Sequence, residues 1–349
     1  MPRRWPEVGD ALAILAVMWA AVTAYALLGG ADFGAGIWDL LAGRRAAGAP
    51  RRTLISRAIG PVWEANHVWL IFVLVLMWTA FPAAFAAVSS TLYVPLTAIA
   101  LGVIARGAAF AFRKAIDQPW AQRLFGAAFA FSSVVTPWFL GAAAGAVAAG
   151  RVPPGLARGP AIGSWLNPVS AVTGTFAVAA CAFLAASYLA ADARRAGDLA
   201  LTAWFRRRAL ASGLVVGACS VAGLLVLHSS APAAYGRLAG HAAALLVAAA
   251  AAAGITALAL AWRRWLVALR LAAAVAVAAV LWAWGAAQYP FLLTAGPGGR
   301  GLTVAGAAAP GATLAATVVC VAIGGALVVP SLGWLLVLAQ RPPRVGRSE

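Results

Sequence analysis

The ten residues from Pro61 to Leu70 bring three polar side chains into the start of a long apolar segment. They read Pro-Val-Trp-Glu-Ala-Asn-His-Val-Trp-Leu, and the chain stays largely apolar as far as Ala80. Glu64, Asn66 and His67 therefore enter a membrane-length helix within four positions. A polar group there costs a few kcal/mol unless it meets a partner, a cavity or water. This block is the first candidate for function.

Glu64 is the only acidic side chain that we place inside a span, and two interpretations of it stay open. If the helix begins at Pro61, Glu64 lies in the first turn, where the helix dipole stabilises an anion near the headgroups. If the helix begins earlier and kinks at Gly60-Pro61, Glu64 lies deeper. His67 follows three residues later and is expected on the same face. With water, this carboxyl and imidazole could pass protons along.

The Glu-x-x-His spacing also occurs in metal sites of helical bundles. Such a site needs further inward carboxylates and a second histidine. His228 and His241 lie at the outer ends of apolar runs, and we place the remaining acids in loops. We therefore expect no metal on this chain.

A second group of candidates follows the first apolar run. Residues 29–36 hold four glycines, which predict either close backbone approach or a turn. Asp32 lies among them on the same membrane side as Glu64, so two carboxylates suggest a point of proton uptake. The alternative is an interfacial acid paired with Arg44 or Arg106. Arg106 follows the third span within an apolar run and is expected to contact a carboxylate or a quinone-type acceptor.

Composition places the chain in the membrane. Hydrophobic residues make up 64% of its 349 residues and charged residues 10%, with a mean hydropathy of +0.90. Soluble domains contain about 45–50% apolar and about 25% charged residues. The net charge of +17 does not indicate nucleic acid, because Lys and Arg gather in the cytoplasmic loops of membrane proteins. We expect an all-α polytopic membrane protein whose first apolar run is retained as a span.

The apolar runs predict one integral membrane domain over residues 1–349 with nine spans of about 20 residues or more. We place the spans at about 11–28, 61–80, 84–104, 124–149, 166–190, 209–228, 242–261, 266–285 and 311–338. Basic residues then alternate from loop to loop, and 20 of the 26 Lys and Arg residues fall on one side. This bias predicts an N-terminus outside and a C-terminus in the cytoplasm.

These residues, in this order, resemble the second subunit of the cytochrome bd-type quinol oxidases. The matching pieces are Gly30–Gly34, Ile59–Leu70, Phe81-Pro82, Arg106–Phe110 and Tyr289–Phe291. They run from the first span to the last, so the resemblance covers nearly the whole chain. The run Trp63–Leu70 is its most specific part.

The resemblance implies a heterodimeric respiratory oxidase of a bacterial or archaeal cytoplasmic membrane, which reduces O2 to water with quinol electrons. In that family the haems b and d and the quinol-oxidising loop belong to the partner, subunit I. The second subunit binds no haem, forms two four-helix bundles plus one peripheral helix, and helps to deliver cytoplasmic protons. The resemblance is compatible with a structural quinone and with small accessory single-span subunits.

Carried over position by position, the resemblance makes Glu64 and Asp32 proton-pathway residues, with His67 beside them. It makes Trp63, Asn66 and Arg106 residues that line the same region. Two departures matter. Relatives often have a second acid at the position of Gly29. The position of Glu64 is commonly Asp, and that of His67 is often Gln or Glu. If Gly29 removes a relay group, the route runs through His67 or differs from the family's better-known version.

Two alternatives remain beside this interpretation. One is a proton-coupled secondary transporter, but such proteins tend to show broken helices in both symmetry-related halves. Here Gly60-Pro61 is the one convincing candidate. The other is a structural scaffold for the haem subunit that has no part in proton transfer.

Overall fold

The computed structural model of the chain describes residues 5–43, 45–60, 63–115, 118–294 and 300–340, and most of them are helical. Within these ranges, nine helices are long and apolar enough to cross a membrane. The prediction of an all-α polytopic membrane protein with nine spans is thereby confirmed. The division into two four-helix bundles plus a peripheral helix stays a prediction, as does the single membrane domain over 1–349.

The chain begins with the long helix α1 (Trp5–Leu40), followed by the amphipathic helix α2 (Arg45–Ile59). The next helices are α3 (Trp63–Ala80), α4 (Pro82–Thr91), α5 (Tyr93–Ala115), α6 (Pro119–Ala148), α7 (Pro168–Arg195), α8 (Leu199–Ser230), α9 (Pro232–Leu238), α10 (His241–Trp262) and α11 (Leu266–Gln288). A short antiparallel pair, β1 (Phe291–Leu293) and β2 (Leu302–Thr303), precedes α12 (Val304–Ala307) and α13 (Gly311–Gln340).

Helix α1 continues through the glycine-rich segment that we expected to end the first span near residue 28. The glycines lie inside the helix because α7 packs directly against it. A side chain at Gly34 would overlap the backbone carbonyl of Cys181 and lie 2.7 Å from the Cβ atom of Ala185. Of the two expectations for this segment, close backbone approach is the one that the structure contains. Asp32 therefore lies within a spanning helix, and the placement of Glu64 as the only acid inside a span was wrong.

The predicted third span, at about 84–104, was also misplaced. It covers most of α4 and only the first half of α5, which lies at Tyr93–Ala115. Pro95 explains the break, because proline lacks the N–H that a continuing helix needs and is tolerated only in a first turn. The apolar span is therefore Tyr93–Phe112, and Arg106 lies inside it instead of after it.

Helix α7 is the most buried of the nine candidate spans in the described residues. Helix α1 packs on α3, α6 and α7, and α5 packs on α6. The side chain of Trp38 donates a hydrogen bond of 2.8 Å to the backbone oxygen of Ala182, which fixes the end of α1 on α7. This packing brings residues from α1, α3, α5 and α6 to one place.

Candidate functional site

The centre of the candidate site is an ion pair between Asp32 on α1 and Arg106 on α5. The two side chains are almost fully buried, with residue exposures of 4% and 1%. An Nη2–H of Arg106 donates to the Oδ1 atom of Asp32 at 2.9 Å and to the Asp32 backbone oxygen at 2.6 Å. Arg106 was expected to contact either a carboxylate or a quinone-type acceptor, and in the structure it contacts a carboxylate.

The rest of the Arg106 guanidinium is also held. Its Nη1 atom donates to the Ser133 hydroxyl on α6, and its Cζ atom lies 5.0 Å from the Phe33 ring centre and 4.3 Å from that of Phe129. A side chain at Gly36 would come within 2.8 Å of Nη1. One buried cation therefore ties α1, α5 and α6 together. Removing one partner of such a pair typically costs about 3–5 kcal/mol, because the other charge stays buried.

Two of the residues predicted to line this region attach α3 to its neighbours. Asn66 is 6% exposed, and its Nδ2 atom donates to the backbone oxygen of Leu28 on α1 at 3.4 Å. The Trp63 ring lies 5.1 Å from that of Phe110 on α5, and Gly107 leaves room for it. The start of α3 is therefore held against both helices that carry the ion pair.

His67 lies among aromatic rings from α1. Its ring centre is 6.1 Å from that of Tyr25 and 5.8 Å from that of Phe33. Both ring nitrogens are buried, and neither has a hydrogen-bond partner among the residues that the structure describes. The same holds for the Tyr25 hydroxyl and for the Oδ2 atom of Asp32. Four unpartnered polar atoms on three side chains thus occur in one buried region.

Tyr25 was not recognised from the sequence as part of the site, although one signal was present. Its ring covers Gly29, where an added Cβ atom would lie 2.8 Å from the ring edge. Positions four apart stack on one face of a helix, so a glycine four residues after a tyrosine leaves space for the ring. The glycine at position 29, where relatives often have an acid, therefore leaves the space that the Tyr25 ring occupies.

Glu64 lies apart from the buried region. Helix α2 ends at Ile59 and α3 begins at Trp63, while Pro61 and Val62, where we expected a helix start or a kink, lie outside the described residues. Glu64 is in the first turn of α3 and exposed. Glu64 and His67 are three residues apart, so their side chains are offset by about 60° around the helix. The Glu64 side chain is exposed, whereas both ring nitrogens of the half-buried His67 are buried.

A metal site does not arise from the described histidines. Within the described ranges, no group of three or more His, Cys, Asp and Glu residues is placed to hold a metal ion. His228 and His241 are exposed, and rings flank His67. The rings that flank His67 are those of Tyr25 and Phe33.

Comparison with known proteins gives one family match and several relatives. The model of the family described as cytochrome bd terminal oxidase subunit II matches residues 11–339. Subunit 2 of the cytochrome bd ubiquinol oxidase of Bacillus subtilis (strain 168) is 33% identical over 135 residues, 37% of this chain and 39% of the relative. Subunit 2 of the cytochrome bd-I ubiquinol oxidase of Escherichia coli (strain K12) is 28% identical over 227 residues, 62% of this chain and 58% of the relative.

These alignments span less than two thirds of either relative's length. A solved structure extends the likeness over the whole fold. One chain of the bd oxidase from Geobacillus thermodenitrificans superposes with a TM-score of 0.71 at 21% identity, covering 95% of this chain and 99% of that one. At that identity the match supports the fold alone.

Proposed function

Because the chain belongs to the cytochrome bd terminal oxidase subunit II family, we propose that it is a membrane subunit of a quinol oxidase that reduces O2 to water. The observation that carries the proposal is the family match over residues 11–339, which includes nearly all of the nine spans. A proton-coupled transporter is not favoured, because the same match includes α1, α3 and α5, the helices that carry the candidate polar residues.

The proposed partner is a haem-bearing subunit I, which would hold the haems b and d and oxidise the quinol. The outward face of α3 supports a protein partner. Val68, Ile71, Val75 and Trp78 are between 48% and 65% exposed, and their spacing places them in one stripe that begins at Glu64. A carboxylate that begins an apolar stripe is costly against lipid. Contact with a protein would cover the apolar side chains and leave Glu64 at the edge of the contact, open to water, so we assign this face to subunit I.

The proposed contribution of this chain, besides support for its partner, is proton delivery from the cytoplasm. Glu64 is exposed and can exchange protons with water, while Asp32 and His67 lie deeper and have polar atoms without a partner among the described residues. Asn66 lies between Glu64 and His67 in the sequence, and its side chain is buried. Lipid offers protons no free path, so ionisable groups and water have to supply the site of oxygen reduction. A structural quinone and accessory single-span subunits stay predictions of the resemblance.

The orientation with the N-terminus outside follows from the basic residues and is supported by contacts among their loops. The Arg52 side chain lies 3.7 Å from Asp39 at the end of α1. The Arg51 guanidinium lies 4.7 Å from the ring centre of Trp204 on α8, and Arg206 donates to the last turn of α10. Three Arg-rich connections therefore meet at one end of the molecule, which we propose to be the cytoplasmic end.

Co-purification tests the subunit assignment. We expect the full-length chain to purify with a haem-carrying membrane protein and to show the visible spectrum of haems b and d. The chain separated from that partner should show no haem spectrum. A haem spectrum from the separated chain that is lost in His67→Ala would contradict the proposal, as would a chain that purifies alone and active as a transporter.

The proposed interface has a matched control. Ile71 on the proposed interface of α3 is 60% exposed, and Ile255 on α10, the control, is 69% exposed. Each is changed to asparagine in a separate variant. We expect Ile71→Asn to lower the amount of haem that co-purifies with the chain, and Ile255→Asn to leave it unchanged. Equal retention in the two variants would place the partner on another face.

A further inference from the structure

The unpartnered atoms around His67 need a hydrogen-bond partner that the described residues do not supply. In folded proteins, 90% or more of buried polar groups have a hydrogen-bond partner. Leaving one without a partner costs about 1–3 kcal/mol. Here the Tyr25 hydroxyl, the Oδ2 atom of Asp32 and both nitrogens of His67 are buried without partners among the described residues. A large membrane protein can contain a single such atom, but four in one region need an explanation.

The packing fixes where these atoms lie. Tyr25 and Phe33 meet edge to face, with ring centres 6.4 Å apart, and His67 packs on both. The side chains of Tyr25 and Asp32 are held in place, at 8% and 4% exposure. Arg106 occupies Oδ1 of Asp32 and leaves Oδ2 as the remaining acceptor.

The composition of the region argues against packing as the whole explanation. A space between helices that needs only filling is filled best by Phe or Leu, as Phe33 does beside these groups. Tyr25 and His67 instead introduce a hydroxyl and two ring nitrogens, and Gly29 leaves the Tyr25 ring its space. Cys181 from α7 packs in the same cluster as Tyr25 and Phe33.

We propose that Tyr25, Asp32 and His67 form a buried water-binding site. The hydrogen-bonding inventory fits water, because a tyrosine hydroxyl donates and accepts, a neutral imidazole has one donor and one acceptor, and a carboxylate oxygen accepts. A buried water makes about three hydrogen bonds. One water can accept from the Tyr25 hydroxyl and donate to Asp32 Oδ2 and to the unprotonated nitrogen of His67.

The role of this water rests on the proposed function in proton delivery. A water held between a hydroxyl, an imidazole and a carboxylate takes up a proton on one side as it releases one on the other, so none is consumed at the site. The two ring nitrogens of His67 permit the same exchange. The site would thus carry protons inward from the exposed end of α3, with Tyr25 as a further positioning residue for the water.

A structure of the assembled complex that resolves water molecules tests the binding site by itself. We expect a water about 2.7–3.2 Å from Asp32 Oδ2 and from Tyr25 Oη or a His67 nitrogen. The water should be lost or displaced in Tyr25→Phe. Direct hydrogen bonds among the three side chains, or a partner side chain that fills the space, would overturn the proposal.

Activity tests the role of the water, with haem content used to count assembled complexes. We expect Tyr25→Phe and His67→Phe to lower turnover and proton uptake about 10-fold or more, the range for a lost proton-transfer group. The controls are Tyr235→Phe and His228→Phe. These residues form a second Tyr–His contact, with ring centres 4.9 Å apart, between the exposed His228 at the end of α8 and the half-buried Tyr235 on α9. Both controls should keep wild-type turnover.

The outcomes separate this inference from the proposed function. If Glu64→Gln slows turnover while Tyr25→Phe and His67→Phe do not, the water site has no part in proton delivery and the inference on its role is wrong. If Glu64→Gln also keeps wild-type turnover, proton delivery by this chain is itself wrong. A resolved water would then stand as a structural site only.

Discussion

The two carboxylates that the sequence singles out lie in opposite surroundings. Asp32 is 4% exposed at the junction of three helices, with one oxygen bound to Arg106. Glu64 is exposed in the first turn of α3. A buried, ion-paired acid holds helices together and responds slowly to the solvent, whereas an exposed one exchanges protons freely. The difference assigns support chiefly to Asp32 and proton exchange with water to Glu64.

The largest effect that the comparison predicts is on stability. Asp32→Ala leaves the Arg106 guanidinium buried without its carboxylate, and we expect a loss of about 3–5 kcal/mol. Glu64→Ala should change stability by less than about 0.5 kcal/mol, as is usual for exposed positions. The measurement is the thermal unfolding midpoint of the assembled complex in detergent, together with its yield.

A double variant sharpens this prediction. Arg106→Leu combined with Asp32→Ala removes both charges, so the double variant should lose less than the sum of the single variants. Additive losses would mean that the ion pair is not what holds this region. Equal losses from Asp32→Ala and Glu64→Ala would remove the contrast between the two carboxylates.

A second, smaller effect tests how tightly the Asp32 region is packed. Gly34→Ala places a methyl group on the Cys181 carbonyl, and we expect a loss of about 1–3 kcal/mol from overpacking. Gly217 on α8 has open space around it. Gly217→Ala should be neutral or stabilise by up to about 1 kcal/mol, because alanine favours helix. Unfolding of the two variants by denaturant compares them, and equal stability would show that α1 can move away from α7.

The smallest effect is expected from an ion pair near the surface. Asp192 lies 3.5 Å from Arg270 and 3.7 Å from Arg195, with its side chain 29% exposed. Because solvent screens such pairs, Asp192→Asn should cost less than about 1 kcal/mol. The loss should shrink further at high salt. A loss as large as that of Asp32→Ala would mean that burial does not decide the strength of these pairs.

The sequence predicted the number of spans but not the inward face of α3. Spans follow from apolar length alone, and the nine runs were long enough to see. Helix α3 is apolar on all sides, so periodicity does not tell which residues face α1. The exposure of Glu64 and the burial of His67's nitrogens depend on that rotation, which is set by contacts such as the Asn66 bond to Leu28.

The glycine-rich segment teaches the same lesson for α1. Close approach was one of the two expectations for its glycines, but the partner helix α7 lies far along the chain, with Trp38 bonded to Ala182, and no local pattern indicates it. Asp32 was therefore placed at the end of a span instead of inside one. The pairing with Arg106 was one of two alternatives in the sequence, and tertiary packing decides between them.

Turnover of the Glu64→Gln complex, measured with its proton uptake and haem content, tests the central claim most directly. Glutamine keeps the shape and hydrogen bonding of Glu64 but cannot release a proton. We predict normal assembly and haem content with turnover and proton uptake reduced about 10-fold or more. Asp32→Asn should lose less turnover per assembled complex. Wild-type turnover and proton uptake in a fully assembled Glu64→Gln complex would contradict the account and leave only a scaffold role.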